Sequence, residues 1–419
     1  MEGAAPLWVE KYSQQHKRPY WVNRDTRQST WTDPTRNAAG PGGAGRARPA
    51  AAAAAAAGRV SSRRVATGSS AQLPRGWVEK SHNGRPYFVS STGERSWERP
   101  SSGGAETANP LHAAAAGGAA GGGAGVHVVG GGTEASAFTC VGSVAAGEHY
   151  DAASRRWSPL AADGARGGCA AVVVGQTLFL FGGSVTDIRS YTPGVGWASA
   201  GKYRSTRLLN RLQGVQCPGA AVMDGLCYLC GGADTSGALS CVQVYIPAKQ
   251  SMSHLADMRV PRAGCACVSL NNLLYIIGGR SGVCSCSSVW YSSVEVYDPV
   301  EDIWSRAPNM GVARDGLAAL VVSNRIFVFG GNCKNEPLGT AECYDPVLEK
   351  WEELPDMSTR RHGVGAAALP DGKILVTGGW DGARLLSSCE ALDIATNRWS
   401  AAGEMTHARM YHACVRLPG

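Results

Sequence analysis

Leu274-Tyr-Ile-Ile-Gly-Gly279, followed by Val294-Glu-Val-Tyr-Asp-Pro299 and Ile303-Trp304, is the stretch from which the rest of the chain can be read. A run of four bulky residues closed by glycine reads as a buried strand and not as a helix. Glycine at its end lets a second backbone come close. The same run and pair recur at Leu178–Phe181, Ile326–Phe329 and Ile374–Thr377. Six Gly-Gly pairs recur at nearly even spacing: Gly131-Gly132, Gly182-Gly183, Gly231-Gly232, Gly278-Gly279, Gly330-Gly331 and Gly378-Gly379, with gaps of 51, 49, 47, 52 and 48 residues. A fixed period near fifty means one supersecondary unit used repeatedly.

Other elements recur in the same order. An aromatic and a Trp follow each pair, as in Tyr150/Trp157, Tyr191/Trp197, Tyr297/Trp304 and Tyr344/Trp351, with Leu392/Trp399 in the last repeat. An Arg precedes the buried strand at Arg166, Arg262, Arg314 and Arg361. The third repeat departs twice, with Val215 for Arg and Met252 for Trp. These elements resemble kelch repeats, and the stretch from Val294 to Met310 looks like the kelch-like family. The resemblance implies an all-β fold, a six-bladed propeller of four-stranded antiparallel blades over residues 126–419. The C-terminal Arg409–Gly419 matches the first strand of a repeat whose second strand is Val126–Gly130, so the two ends are expected to complete one shared blade and remove open sheet edges.

Two short aromatic modules precede the repeats. The first, residues 6–35, runs from Trp8 through Tyr20-Trp21-Val22-Asn23 to Trp31 and Pro34; the second, residues 73–101, runs from Trp77 through Tyr87-Phe88-Val89 to Trp97 and Pro100. Both resemble WW domains, three strands with a marginal core of their own. The resemblance implies a buckle of Trp8, Trp21 and Pro34, or Trp77, Phe88 and Pro100. It leaves Tyr20 with Trp31, and Tyr87 with Trp97, as grooves for a polyproline II ridge. Arg24 stands where Pro-Pro-x-Tyr readers usually carry His, and the segment around it is more like the WW domains of splicing factors. Residues 36–72, basic and Ala/Gly-rich, and 102–125, Gly/Ala-rich, read as linkers.

Composition narrows the rest. The 419 residues carry a net charge of +7, concentrated ahead of the repeats: seven Arg and no acidic residue lie between Pro34 and Val78. Such a tether can touch nucleic acid weakly, but a nucleic-acid partner is not otherwise indicated. No run of eighteen apolar residues and no secretory signal is visible, so a cytoplasmic or nuclear protein without a membrane partner is expected. The fourteen cysteines all lie between Cys140 and Cys414. Cys227 and Cys230 occupy strand-core slots, and Cys265-x-Cys267 and Cys284-x-Cys286 lack partners at a metal-finger spacing, so reduced structural thiols are expected.

Two insertions break the repeat. One follows Trp197 and carries Lys202, Arg204, Arg207 and Arg211; the other follows Gly278-Gly279 and carries Trp290 and Tyr291. The kelch-like resemblance puts both on one face and places contact residues after Gly-Gly (Arg280, Asn332, Trp380, Asp381) and after the repeat Arg (Asp315, His362, Tyr411). No catalytic motif, metal site or cofactor loop stands out. The expected role is a non-enzymatic adaptor, with WW modules holding proline-rich segments and the propeller holding a second protein. Alternatives are a substrate receptor of a cullin-type ubiquitin ligase and a propeller enzyme, galactose-oxidase-like or sugar-modifying.

Overall fold

The computed structural model describes residues 125–418 apart from 133, 136–139, 142–143, 145–146, 161–165, 184, 203–214 and 283–287; by backbone alone it describes 134–135, 140–141 and six short strands between residues 8 and 96. The chain divides into two compact units, Met1–Glu106 and Thr107–Gly419.

In the first unit, Trp8–Ser13, Arg18–Asn23 and Ser29–Thr30 form one antiparallel sheet, and Trp77–His82, Arg85–Ser90 and Arg95–Ser96 form another. Their registers correspond: Trp8 pairs with Asn23 and Lys11 with Tyr20, as Trp77 pairs with Ser90 and Lys80 with Tyr87. Arg24, Trp31 and Trp97 lie outside the described residues, and Tyr20 and Tyr87 are placed by backbone alone.

The second unit is a six-bladed propeller. Blade 5 shows the pattern: Ala318–Val322, Arg325–Phe329, Ala341–Asp345 and Lys350–Leu354, each antiparallel to the next. Its second strand is buried on both sides, which is why it reads as a continuous apolar run, while its outer strand is half-exposed throughout. The innermost strands of all six blades touch their neighbours in a closed circle. They are built largely from Ala, Gly, Cys and Val, residues small enough to crowd around an axis.

The two ends meet as expected. Ala413–Arg416 pairs with Gly125–Val129, which pairs in turn with Gly147–Asp151, and Arg156–Leu160 completes blade 1. One correction concerns the glycines of this blade. The structural pair is Gly130-Gly131, one residue earlier than the spacing suggests, because Gly130 takes the close-packed place and Gly132 instead bridges to Met410.

The glycines have a physical cause common to all blades. The second glycine of each pair donates its N–H to the carbonyl at the repeat-Arg position of the next blade: Gly131 to Arg166, Gly183 to Val215, Gly232 to Arg262, Gly279 to Arg314, Gly331 to Arg361 and Gly379 to Arg409, at 2.8–3.1 Å. A Cβ on Gly330 would lie 2.4 Å from the Arg361 carbonyl oxygen, and Gly330 has φ +57°. A second circle closes nearer the axis, where Gly168, Cys217, Gly264, Gly316, Gly363 and Tyr411 each donate to the carbonyl of the one before, and Gly168 to Tyr411, at 2.7–3.2 Å. All six have left-handed backbone, so Cys217 and Tyr411 hold a conformation that usually belongs to glycine.

The repeat arginines serve the core. Arg262, Arg314, Arg361 and Arg409 are buried and paired with Glu295, Glu342, Glu390 and Glu148 at 3.1, 2.6, 2.9 and 2.5 Å. Each guanidinium also donates to the carbonyl of the first glycine of its own blade. Each glutamate also accepts backbone N–H groups of the incoming loop, for example Gly311 and Val312 on Glu342. The charges are therefore matched and hydrogen-bonded, the condition under which a buried pair is tolerable. In blade 3, where Val215 replaces Arg, Gln243 replaces Glu at the same register position, so both charges are lost together.

The repeat Tyr and Trp face each other in register, with ring centroids 4.8–5.2 Å apart in blades 1, 2, 4 and 5. The indoles of Trp304, Trp351 and Trp399 also donate to carbonyls of the preceding blade or its outgoing loop, tying blade to blade. Among the described residues the cysteines are free thiols. Cys227 sits in the core between blades 2 and 3; Cys230 lies 3.5 Å, sulfur to sulfur, from Cys267 of blade 4. Cys284 and Cys286 lie outside the described residues.

Candidate functional site

The residue after the repeat Arg and the residue after Gly-Gly are joined in each of blades 4, 5 and 6 by a pair of backbone hydrogen bonds: Ala263 with Arg280, Asp315 with Asn332, His362 with Trp380. The bridges carry these side chains to the same end of the propeller axis, where the inter-blade loops also emerge. The register of the strands thus gathers residues far apart in sequence into one ring.

Asp315 is the hub of that ring. Its Oδ1 accepts from the Trp290 indole at 2.8 Å and from Asn332 Nδ2 at 3.3 Å. Its Oδ2 faces Arg280 NH1 and His362 Nε2, each at 3.6 Å. His362 Nε2 is in turn 2.7 Å from the Tyr411 hydroxyl, with the two rings edge to face. Burial works to raise the Asp315 carboxyl, but hydrogen bonding and charge from His362, together with Arg280 and the Trp290 indole, hold it below the ordinary carboxylate value. Asp315 is fully buried at 0% exposure, and Arg280, Asn332 and His362 are nearly so. Trp290, Trp380, Asp381 and Tyr411 are partly exposed above them.

Six of the residues singled out from sequence therefore form one connected network spanning blades 4, 5, 6 and 1: Arg280, Trp290, Asp315, Asn332, His362 and Tyr411. Trp380 joins through its backbone bridge to His362. The other candidates stand apart. Tyr291 lies beneath the Arg262 guanidinium, 4.9 Å from carbon to ring centroid. Asp381 caps its own turn, accepting from the N–H groups of Ala383 and Arg384 at 2.8 Å. Arg204 and Arg207 lie outside the described residues; Lys202, at the start of that insertion, pairs with Asp187 at 3.6 Å.

The arrangement is a rigid polar floor under partly exposed aromatics. Asn332 Oδ1 is buried and accepts no hydrogen bond among the described residues, while Asp315 Oδ2 is held between the Arg280 and His362 side chains. Tyr, Trp and Arg held in place by buried partners are the residue types that dominate binding energy at protein interfaces. Among the described residues no group of three or more His, Cys, Asp or Glu is placed to hold a metal ion.

The Kelch motif family model matches residues 261–311, 313–358 and 360–406, which are blades 4, 5 and 6, and the WW domain model matches residues 5–34. The chain thus carries kelch repeats. One WW domain is found by family model, not the two expected; the sheet of residues 77–96 is not matched. Kelch-like protein 25 of Rattus norvegicus is 37% identical over 191 residues, 44% of this chain and 32% of that protein. Kelch-like protein 23 of Pongo abelii is 26% identical over 47% of this chain and 34% of that protein. The chain spans about a third of the length of these curated relatives. A solved structure described as "Structure of YjhT" aligns at a TM-score of 0.52 and 14% identity over 59% of this chain and 86% of that one.

Proposed function

We propose that the protein is a non-enzymatic adaptor, in which the WW modules hold proline-rich segments and the Trp290–Asp315–Tyr411 face of the propeller holds a second protein. The observation that carries the propeller half is the Asp315 network. It keeps a set of aromatic and charged side chains fixed on one face, where recognition loses little side-chain entropy. Proline-rich recognition extends to the second module on the strength of its matching strand register. Two weak sites on one chain gain avidity for a partner with several proline motifs.

Affinity capture with the full chain tests this. Trp380→Ala with Tyr411→Ala is expected to lose propeller partners while retaining proline-rich ones, and Tyr20→Ala with Trp31→Ala is expected to do the reverse. Recovery of the same partners by both double variants overturns the reading. Likeness to kelch-like proteins favours a second reading, a substrate receptor of a cullin-type ligase; co-precipitation of a cullin with the full chain would support it.

A further inference from the structure

Blade 1 departs from the other five at one pair of positions on its two middle strands. Elsewhere an aromatic residue or Leu of the second strand faces a small residue of the third: Phe179 with Ser190, Tyr228 with Val244, Tyr275 with Val296, Phe327 with Cys343 and Leu375 with Ala391. In blade 1 the corresponding pair is His127 with His149.

Residues directly opposite on neighbouring strands share a face, and the two imidazoles meet there with ring centroids 4.7 Å apart. The Tyr191 ring of blade 2 stands 6.1 Å from His127, so the pair lies at the seam between blades 1 and 2. The His149 ring lies over Gly125, where a Cβ would come within 1.8 Å of its Cε1. A side chain at position 125 would therefore push that ring aside. His127 is 7% exposed, and His149 is partly exposed. His127 shares a hydrogen bond with the Gly125 backbone, as metal-ligating imidazoles usually do with a nearby carbonyl. The Nδ1 atoms of both rings are buried and make no hydrogen bond. A ring nitrogen buried without a partner is unfavourable, and here two of them stand side by side.

We propose that His127 and His149 form a zinc-binding site at the seam between blades 1 and 2. Imidazole is a ligand of choice for this ion. Two nitrogens bound to one tetrahedral zinc stand roughly 3.3 Å apart, a separation that rings with centroids 4.7 Å apart can present by turning about their side-chain bonds. The pair supplies half of a tetrahedral shell. Water fills the rest, reached along the partly exposed side of His149. The site is separate from the Asp315 network and stands whether or not that network binds a protein.

The test titrates zinc into the metal-free, reduced full chain and reads binding by calorimetry. The variants are His127→Phe and His149→Val, residues that other blades carry at these positions and fold around. Losing a ligand outweighs losing an outer-shell partner, so each variant is expected to weaken one zinc site by about tenfold or more. Gly125→Ala keeps both imidazoles but displaces the His149 ring, and is expected to weaken the same site. Cobalt in place of zinc reports the ligand type: visible bands without thiolate charge transfer are expected in the wild type. Equal zinc binding by wild type and both histidine variants overturns the site, as does a cobalt spectrum dominated by thiolate. Should the variants fail to fold, the wild type still decides. Zinc is expected to protect His149 from diethyl pyrocarbonate, read by mass spectrometry, and unchanged labelling overturns the proposal.

Discussion

Arg314 is fully buried, and its charge is tolerated only because Glu342 and three carbonyl or hydroxyl oxygens surround it. Removing one charge leaves the other stranded, so Glu342→Gln is expected to destabilise the propeller by about 3–5 kcal/mol. The double change Arg314→Val with Glu342→Gln, the combination blade 3 already uses, is expected to cost less than the single one. Urea unfolding of both variants checks the order. The arginine was legible in the sequence because a lone charge at a fixed distance ahead of an apolar run is conspicuous. Its glutamate was not, since Glu two residues before the repeat Tyr looks like any acid on a half-exposed strand. What betrays it is the joint change of Val215 and Gln243. Two histidines make a second prediction at this scale. Burial, then His149, lowers His127 to about 4, and burial, then Arg409 and Arg361, lowers His412 to about 3, against an ordinary 6.5. Both are neutral in the fold and take up protons on unfolding, so their contribution is complete above 6.5 and is lost as pH falls toward those values. Stability measured by urea at pH 7 and pH 5 should fall with acid, and His412→Gln should flatten the slope.

At the scale of the element, the Gly-Gly turn is both a conformation and a contact. Gly330 and Gly225 share left-handed backbone, φ +57° and +71°, but a Cβ on Gly330 meets a carbonyl at 2.4 Å while one on Gly225 meets nothing within 4 Å. Gly225→Ala is therefore expected to cost about 1 kcal/mol, the left-handed penalty alone. Gly330→Ala is expected to cost about 3 kcal/mol or more, because the next blade must also shift. Equal losses in urea unfolding would mean that the inter-blade contact is unimportant. The repeat of these elements, and hence the fold, was legible because a buried strand and its bounding glycines leave a strong local pattern. The register of the first pair was not, since Gly130-Gly131-Gly132 offers two choices and only the approach of the Arg166 carbonyl decides between them. The face network was half legible. Its positions follow from the repeat, but the meeting of Trp290 with Asp315 depends on how an insertion folds, which periodicity does not encode.

At the scale of the whole propeller the fold is a ring, and its closure depends on the segment from Met405 to Pro418. Arg409 pairs with Glu148, the Arg409 carbonyl receives the Gly379 N–H, Tyr411 completes the axial circle, and Ala413–Arg416 supplies the inner strand of blade 1. Each of these groups lies at the seam where the repeat is split. Ending the chain after Glu404 would strip the Arg409 and His407 side chains from Glu148 together with one strand, and would expose the edge of Gly125–Val129 to other chains. A loss of about 5 kcal/mol in a domain of this size lowers the melting temperature by roughly 10–20 °C, and aggregation on heating should become concentration-dependent. A synthetic peptide of residues 405–419 added to the shortened chain should restore much of the loss, because the groove between Gly125–Val129 and Gly365–Ala368 is shaped for that strand. An unchanged melting temperature on truncation would show that the blades hold together without the closing strand, and that the two circles of inter-blade hydrogen bonds contribute less than their geometry implies.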